Sequence, residues 1–258
     1  MSSLFSSSYF KIDKNIALVV IDIKDLDDTL RGVLNQNFVS ICEGNSGTDL
    51  CIVKKEVEHL FRNKCETWVI AAIAEFFTHL ILKDLGFKQE CLFFNLEENS
   101  IKKGFDGFYS LKDEEWIMES KAGFLTSTSV THASKISLAI QDLDNRVTGR
   151  KPNGAIINPW HNAYSHACHC DVSTAKNIRE HIKKLSDEYT CGYYHSIDEF
   201  NNIPSATLFL EGCRKNIEHG QIFNDISAIK KKLKGKKVLV ICMTQNSINT
   251  FKDYIKEF

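Results

Sequence analysis

Apolar positions along the chain alternate between two spacings, one suited to strands and one to helices. Residues 16–23, Ile-Ala-Leu-Val-Val-Ile-Asp-Ile, form a β-branched run that predicts a buried strand. Residues 25–50 carry turn composition at both ends, Asp-Leu-Asp-Asp at 25–28 and Glu-Gly-Asn-Ser-Gly-Thr-Asp at 43–49, and predict a loop. From 54 to 84 the apolar residues at 57, 60, 61, 68, 69, 72, 73, 76, 77, 80 and 81 recur at three- and four-residue steps, which predicts helix. A break near Asn63 would divide it in two, and Gly86 supplies the stop. Strands are predicted over 92–96, 105–111 and 116–124, with turns at 97–103 and 112–115. A helix over 130–144 carries Ile136, Ala139, Ile140 and Leu143 on one face. Beyond it, residues 149–160 hold two of the three prolines and read as a linker or loop. Residues 172–189 read as a basic amphipathic helix, 205–210 and 237–243 as strands, and 247–258 as a closing helix.

The order helix, strand, strand, strand, helix belongs to an α/β or α+β protein, with a mixed central sheet that has a hairpin at its centre and helices on its flanks. A chain of 258 residues is long enough for one principal core carrying insertions. With 43% hydrophobic and 25% charged residues it falls among ordinary globular proteins, which excludes disordered and low-complexity classes. The net charge of −1 excludes a globally basic nucleic-acid coat but leaves room for a locally basic site. Nine cysteines, an odd number without repeated spacing, point to free thiols in a reducing cytosol. No secretory signal is expected from the first residues, which lack a basic region followed by an apolar run. The longest apolar stretch, residues 68–82, is interrupted by Glu75 and His79 and is too short and too polar for a membrane span. A soluble, cytoplasmic protein with no membrane partner is the expectation.

Candidate chemistry concentrates in residues 104–124. If Lys112 to Glu114 form the turn of a hairpin, antiparallel pairing sets Asp106 opposite residues 119–121. Glu119 and Lys121 are two apart on the second strand and so project from one face. Two carboxylates and one ammonium then meet at a single spot. Such a group suits a hard divalent cation, Mg2+ or Mn2+, that keeps waters and substrate phosphate in its shell. A lysine beside the metal orients or deprotonates the attacking water and offsets phosphate charge, so the parts fit metal-assisted phosphodiester hydrolysis. Glu75 is a possible third carboxylate, because an ionised glutamate in an apolar helix is costly without a metal or partner. The competing reading of Glu75 is a boundary residue turned to water, and that of Glu119 and Lys121 a solvated charge pair.

Taken in order, a helical Glu75, a hairpin Asp106, then Glu119-Ser120-Lys121 and a following helix resemble the restriction-endonuclease-like, or PD-(D/E)xK, nuclease superfamily. Phe105 stands where that family often has proline. The resemblance covers about residues 55–145 and implies a catalytic set of Asp106, Glu119 and Lys121, with metal held by Glu75, Asp106 and Glu119. Within the superfamily, the run from the helix to Lys-Ala-Gly-Phe124 is similar to the HamA family, nuclease subunits of the Hachiman anti-phage system. That likeness implies DNA as substrate and a HamB-like superfamily 2 helicase as partner, with a non-enzymatic nuclease-fold module that restrains the helicase as the alternative. Lys135 and Gln141 fall on the following helix, where related nucleases place residues that support the site or touch DNA. The corresponding division is residues 1–150 for the N-terminal region and nuclease core and 151–258 for an α/β extension packed on it.

Three further features are weighed against plainer readings. His161, His166, Cys168, His169 and Cys170 are potential zinc ligands, yet no second paired motif accompanies them, so a loop is preferred. The lysines of residues 230–237 and Lys176, Arg179, Lys183 and Lys184 suit phosphates or an acidic partner, but solvated surface charge is the preferred account. Asp22, Asp25, Asp27 and Asp28 lack the glycine and terminal glutamate of a calcium loop and read as an acidic turn.

Overall fold

The computed structural model describes residues 5–95, 100–101, 104–150, 158–213 and 218–257. A hairpin of β1 (Ser6–Asp13) and β2 (Ile16–Ile23) leads into three helices, α1 (Asp28–Glu43), α2 (Leu50–Arg62) and α3 (Glu66–Asp84). The short strand β3 (Lys88–Gln89) follows, then β4 (Phe94–Asn95) paired with β5 (Ser100–Ile101), and the hairpin β6 (Gly107–Leu111) and β7 (Glu114–Phe124). After α4 (His132–Val147), α5 (Pro159–Ala167) and α6 (Lys176–Thr190) come β8 (Asn201–Phe209), α7 (His219–Ala228), β9 (Lys237–Gln245) and α8 (Ile248–Lys256).

Seven strands form one mixed sheet in the order β1-β2-β9-β8-β7-β6-β3. Its middle, β2, β9, β8 and β7, is parallel, and both flanks are antiparallel. Parallel strands are buried on both faces, which is why β2 and β9 read as unbroken apolar runs. Alternate residues serve opposite layers. Val19, Ile21, Met118 and Met243 pack with Phe38, Phe76, Phe77 and Phe251 from α1, α3 and α8. On the other face Leu18, Val20, Val240 and Ala206 meet Ile136 and Ile140 of α4 and Ile222 and Ile226 of α7, while Phe108 and Ile117 meet Leu143, Trp160 and Ile182.

The α/β class, the flanking helices and the break at Asn63 agree with the sequence pattern. Four expectations need correction. Within the loop expected at 25–50, residues 28–43 are a helix and 44–49 a connection, because Leu30, Leu34, Phe38 and Ile41 form a buried stripe at helical spacing between the two polar ends. The acidic turn before them is partly a helix start, with Asp27 accepting the Leu30 N–H at 2.8 Å. The hairpin does not lie at the centre of the sheet. Strands β8 and β9 occupy the middle, so the boundary expected near residue 150 does not separate two sheets: strands from beyond it stand between β2 and β7. Finally, the expected loop at 149–160 ends at Asn158, whose side chain caps α5 by accepting the N–H groups of Trp160 and His161. Residues 151–157 and most of the turn at 97–103 lie outside the described residues.

Helix α8 is held by an aromatic cluster in which Phe251 lies 5.2 Å from Phe76, 5.5 Å from Phe77 and 6.3 Å from Phe38, ring centre to ring centre. Phe251→Ala removes the shared ring and leaves a cavity, so urea denaturation should report a loss of about 3–5 kcal/mol. A change below about 1 kcal/mol would mean that the cluster does not anchor the closing helix.

Candidate active site

Register brings the hairpin residues together. The last paired positions of β6 and β7 are Gly107 and Met118, and one further step outward sets Asp106 across from Glu119. The Asp106 carboxylate accepts the N–H of Ser120 at 2.8 Å, which ties the strand carrying Asp106 to the middle of Glu119-Ser120-Lys121. Gly107 leaves room for the core side chains behind this pair, since a Cβ there would stand 2.4 Å from the Tyr109 ring and 2.9 Å from Met118 Cε. Glu119 and Lys121 share the face that looks toward α4. Glu119 is 0% exposed. One of its oxygens accepts from Lys121 Nζ at 2.7 Å and the other from Arg146 Nη1 at 2.5 Å. Lys121 Nζ also lies 2.6 Å from Asp142 Oδ2.

Arg146 and Asp142 were missed by the sequence reading. They are four residues apart on α4, hence stacked on one side of the helix, beside the apolar positions that dock it on the sheet. That spacing was the available signal. Arg146 also donates to the carbonyl of Gly104, so one guanidinium holds both the entry to β6 and the carboxylate of β7.

The charges are strongly coupled. Burial pushes the Glu119 carboxyl up, the neighbouring Asp106 charge adds to it, and Arg146 and Lys121 offset only part, leaving it at about 8. Asp106 is raised by burial and by the charge of Glu75, with Arg146, the Ser120 N–H and Lys121 opposing. Burial disfavours the Lys121 ammonium, but Glu119, Asp142 and Asp106 outweigh it and hold the lysine charged. The same balance keeps Arg146 charged.

Glu75 is buried on α3, in the layer against the opposite face of the sheet. Its Oε1 lies 3.4 Å from His79 Nε2, and the His79 Nδ1 is hydrogen-bonded to the Tyr109 hydroxyl. His79 is a third site residue, noted in the sequence only as a polar interruption of the apolar stretch, although its four-residue spacing from Glu75 was visible. Glu75 is therefore not turned to water. Glu75, Asp106 and Glu119 nevertheless do not converge on one point, since among the described residues the one group of three donors within 4.8 Å is His169, Cys170 and Asp171. The reason lies in direction: Glu119 turns to α4, and Glu75 approaches from α3. Buried carboxylate oxygens are the right donors for Mg2+ or Mn2+. Asp106 and Glu119 with nearby Glu75 fit such an ion in kind, provided it takes a Glu119 oxygen from Arg146 or Lys121.

The remaining candidates separate clearly. Lys135 is partly buried on α4, with its Cε 2.7 Å from where a Cβ on Gly123 would lie, and burial together with the Lys121 charge lowers its pKa. Gln141 is exposed. His161 and His166 lie on α5 and Cys170 in a short 3-10 turn, so the expected loop is largely helical, and His166 accepts the Leu92 N–H at 3.3 Å. On α6, Lys176, Lys183 and Lys184 are matched by Glu180, Asp187 and Glu188, which makes a solvated charged face. Lys230 pairs with Asp13 at 2.7 Å. No helix among the described residues is long and apolar enough to cross a membrane. No protein-family model and no curated protein matches the chain.

A glutamate raised from 4.5 to about 8 on folding binds a proton that the unfolded chain releases. Its contribution to stability is complete below pH 4.5 and is lost as pH climbs toward 8. Stability of the native protein, followed by urea denaturation, should fall across that window. Glu119→Gln, which has nothing to titrate, should flatten the decline, and equal slopes in both proteins would refute the buried, charge-strained state of Glu119.

Proposed function

We propose that the protein is a Mg2+- or Mn2+-dependent DNA nuclease of the PD-(D/E)xK type, working beside a HamB-like superfamily 2 helicase in anti-phage defence. The observation that carries the reading is the hydrogen bond from Ser120 to Asp106, which lays the hairpin aspartate against Glu119-x-Lys121. The element order α3, β3, β6, β7, α4, β8, with β3–β6 and β6–β7 antiparallel and β7–β8 parallel, supports a restriction-endonuclease-like core around it. The resemblance alone supplies the helicase, and the near-zero net charge accords with delivery to DNA by a partner.

In this reading Asp106 and Glu119 would hold the ion, and Glu75 would join them from α3 only after a shift toward them. The bound metal supplies a Lewis acid for the phosphoryl oxygen and a lowered pKa for the attacking water. Lys121, held charged by three carboxylates, orients that water and neutralises phosphate charge and does not remove a proton. Arg146 would offset part of the negative charge on Glu119 in the protein without metal.

Purified protein, alone and with the helicase, should cut plasmid DNA only with Mg2+ or Mn2+ present. Glu119→Gln and Lys121→Ala should each lower the rate by at least about 100-fold. Undiminished cleavage in both variants would remove the assignment. A second reading, a nuclease-shaped module that only restrains the helicase, is favoured by the engagement of both Glu119 oxygens by protein cations. Isothermal titration with Mn2+ separates the two: binding that Glu119→Gln weakens supports the nuclease, and no binding to native protein supports the silent module.

A further inference from the structure

Five of the six residues from His166 to Asp171 carry a metal donor, and the short turn that follows α5 brings three of them together. One donor atom from each of His169, Cys170 and Asp171 lies within 4.8 Å of the other two. None of the three is among the cations that meet Glu119.

The turn is tied from two sides. Asn45, in the connection between α1 and α2, donates its N–H to the Asp171 carbonyl at 2.9 Å. Gly44 makes room for that approach, since a Cβ there would stand 2.5 Å from the same oxygen. Two residues further on, Lys88 Nζ bonds the Ser173 carbonyl at 2.9 Å. Between these ties Cys170–Val172 forms a single 3-10 turn in which Val172 is buried. The backbone bearing the donors is thus fixed before any ligand arrives, so little ordering accompanies binding.

The spacing of the donors suits one kind of ion. His169 Nδ1 stands 3.5 Å from Asp171 Oδ2. Two ligand atoms each about 2.1 Å from a tetrahedral Zn2+ are about 3.4 Å apart, so this edge already has the required length. Nδ1 receives the Asp171 N–H at 3.4 Å, a long contact that a metal displaces at small cost. The site is open to solvent: the His169 side chain is 36% exposed, that of Asp171 29%, and Cys170 is exposed. Imidazole, thiolate and carboxylate in one set select a borderline ion such as Zn2+ over the hard Mg2+.

We propose that His169, Cys170 and Asp171 bind Zn2+, with water in the fourth position. The Cys170 thiol gives up its proton to solvent as the Zn–S bond forms. The ion clasps the turn between α5 and α6 where it meets the α1–α2 connection. The proposal shares no residue with the nuclease site and does not rest on that reading.

Co2+ is the probe, because a thiolate bound to it adds a charge-transfer band in the near ultraviolet and tetrahedral coordination gives strong visible bands. Titration of the reduced full chain should develop both at one equivalent. Zn2+ should abolish them with a dissociation constant below about 1 μM, and excess Mg2+ should not. Cys170→Ser should remove the charge-transfer band. His169→Asn, which keeps an acceptor at the start of the turn, should weaken Zn2+ at least about tenfold. Cys65→Ser, at another exposed thiol, and Glu119→Gln, in the nuclease site, should leave the spectrum unchanged, with circular dichroism confirming the fold of each variant. A Co2+ spectrum without the charge-transfer band, or one that Cys170→Ser leaves intact, would overturn the proposal.

Discussion

The central constraint is a carboxylate with no access to water. Glu119 in the middle of β7 is tolerable only because two cations reach it, Lys121 along its own strand and Arg146 from α4. Removing either would take away one of the two charges that oppose its protonation and push its pKa higher still. Much else follows. α4 must dock so that Arg146 and Asp142 face β7, and its start is fixed by a capping box in which Thr131 and Ser134 satisfy each other's backbone N–H groups. The apolar side of the same helix, Ile136, Ile140 and Leu143, then falls on the sheet.

Charge is therefore arranged from both faces of one strand. On the α4 side, four groups meet: Glu119 and Asp142 against Lys121 and Arg146. On the α3 side, Glu75, His79 and Tyr109 form a hydrogen-bonded chain inside an otherwise apolar layer. Asp106 joins them, since it feels the charge of Glu75 while bonding to the backbone of Ser120. Buried polar networks of this kind fix geometry because each member has few alternatives.

Sequence revealed those parts of the site that depend on local periodicity. Glu119 and Lys121 share a face because strands alternate, and Asp106 faces them because the turn at Lys112 and Asp113 sets the register. The role of Arg146 depends on how α4 lies over the sheet, a tertiary fact that a helical spacing can only suggest. Helix α1 was hidden because the turn-forming residues at its two ends outweighed a stripe of four buried apolar side chains between them. Strand β1 was hidden by its serines: exposed edge strands need no apolar alternation on the outer face. The place of β8 and β9 could not be read locally at all, since parallel neighbours are chosen by the whole topology.

That placement affects how the molecule is made. The central strands β8 and β9 follow all the others in the sequence order of this sheet, yet they separate β2 from the hairpin bearing Glu119. During synthesis the earlier strands wait, with unpaired edges, until residues 201–245 have left the ribosome. A nascent chain thus has its acids and lysine translated long before any scaffold can hold them in place. Assembly of the centre is deferred until residues 201–245 have been made, and a product terminated before them would present bare strand edges for chaperones or proteases to recognise.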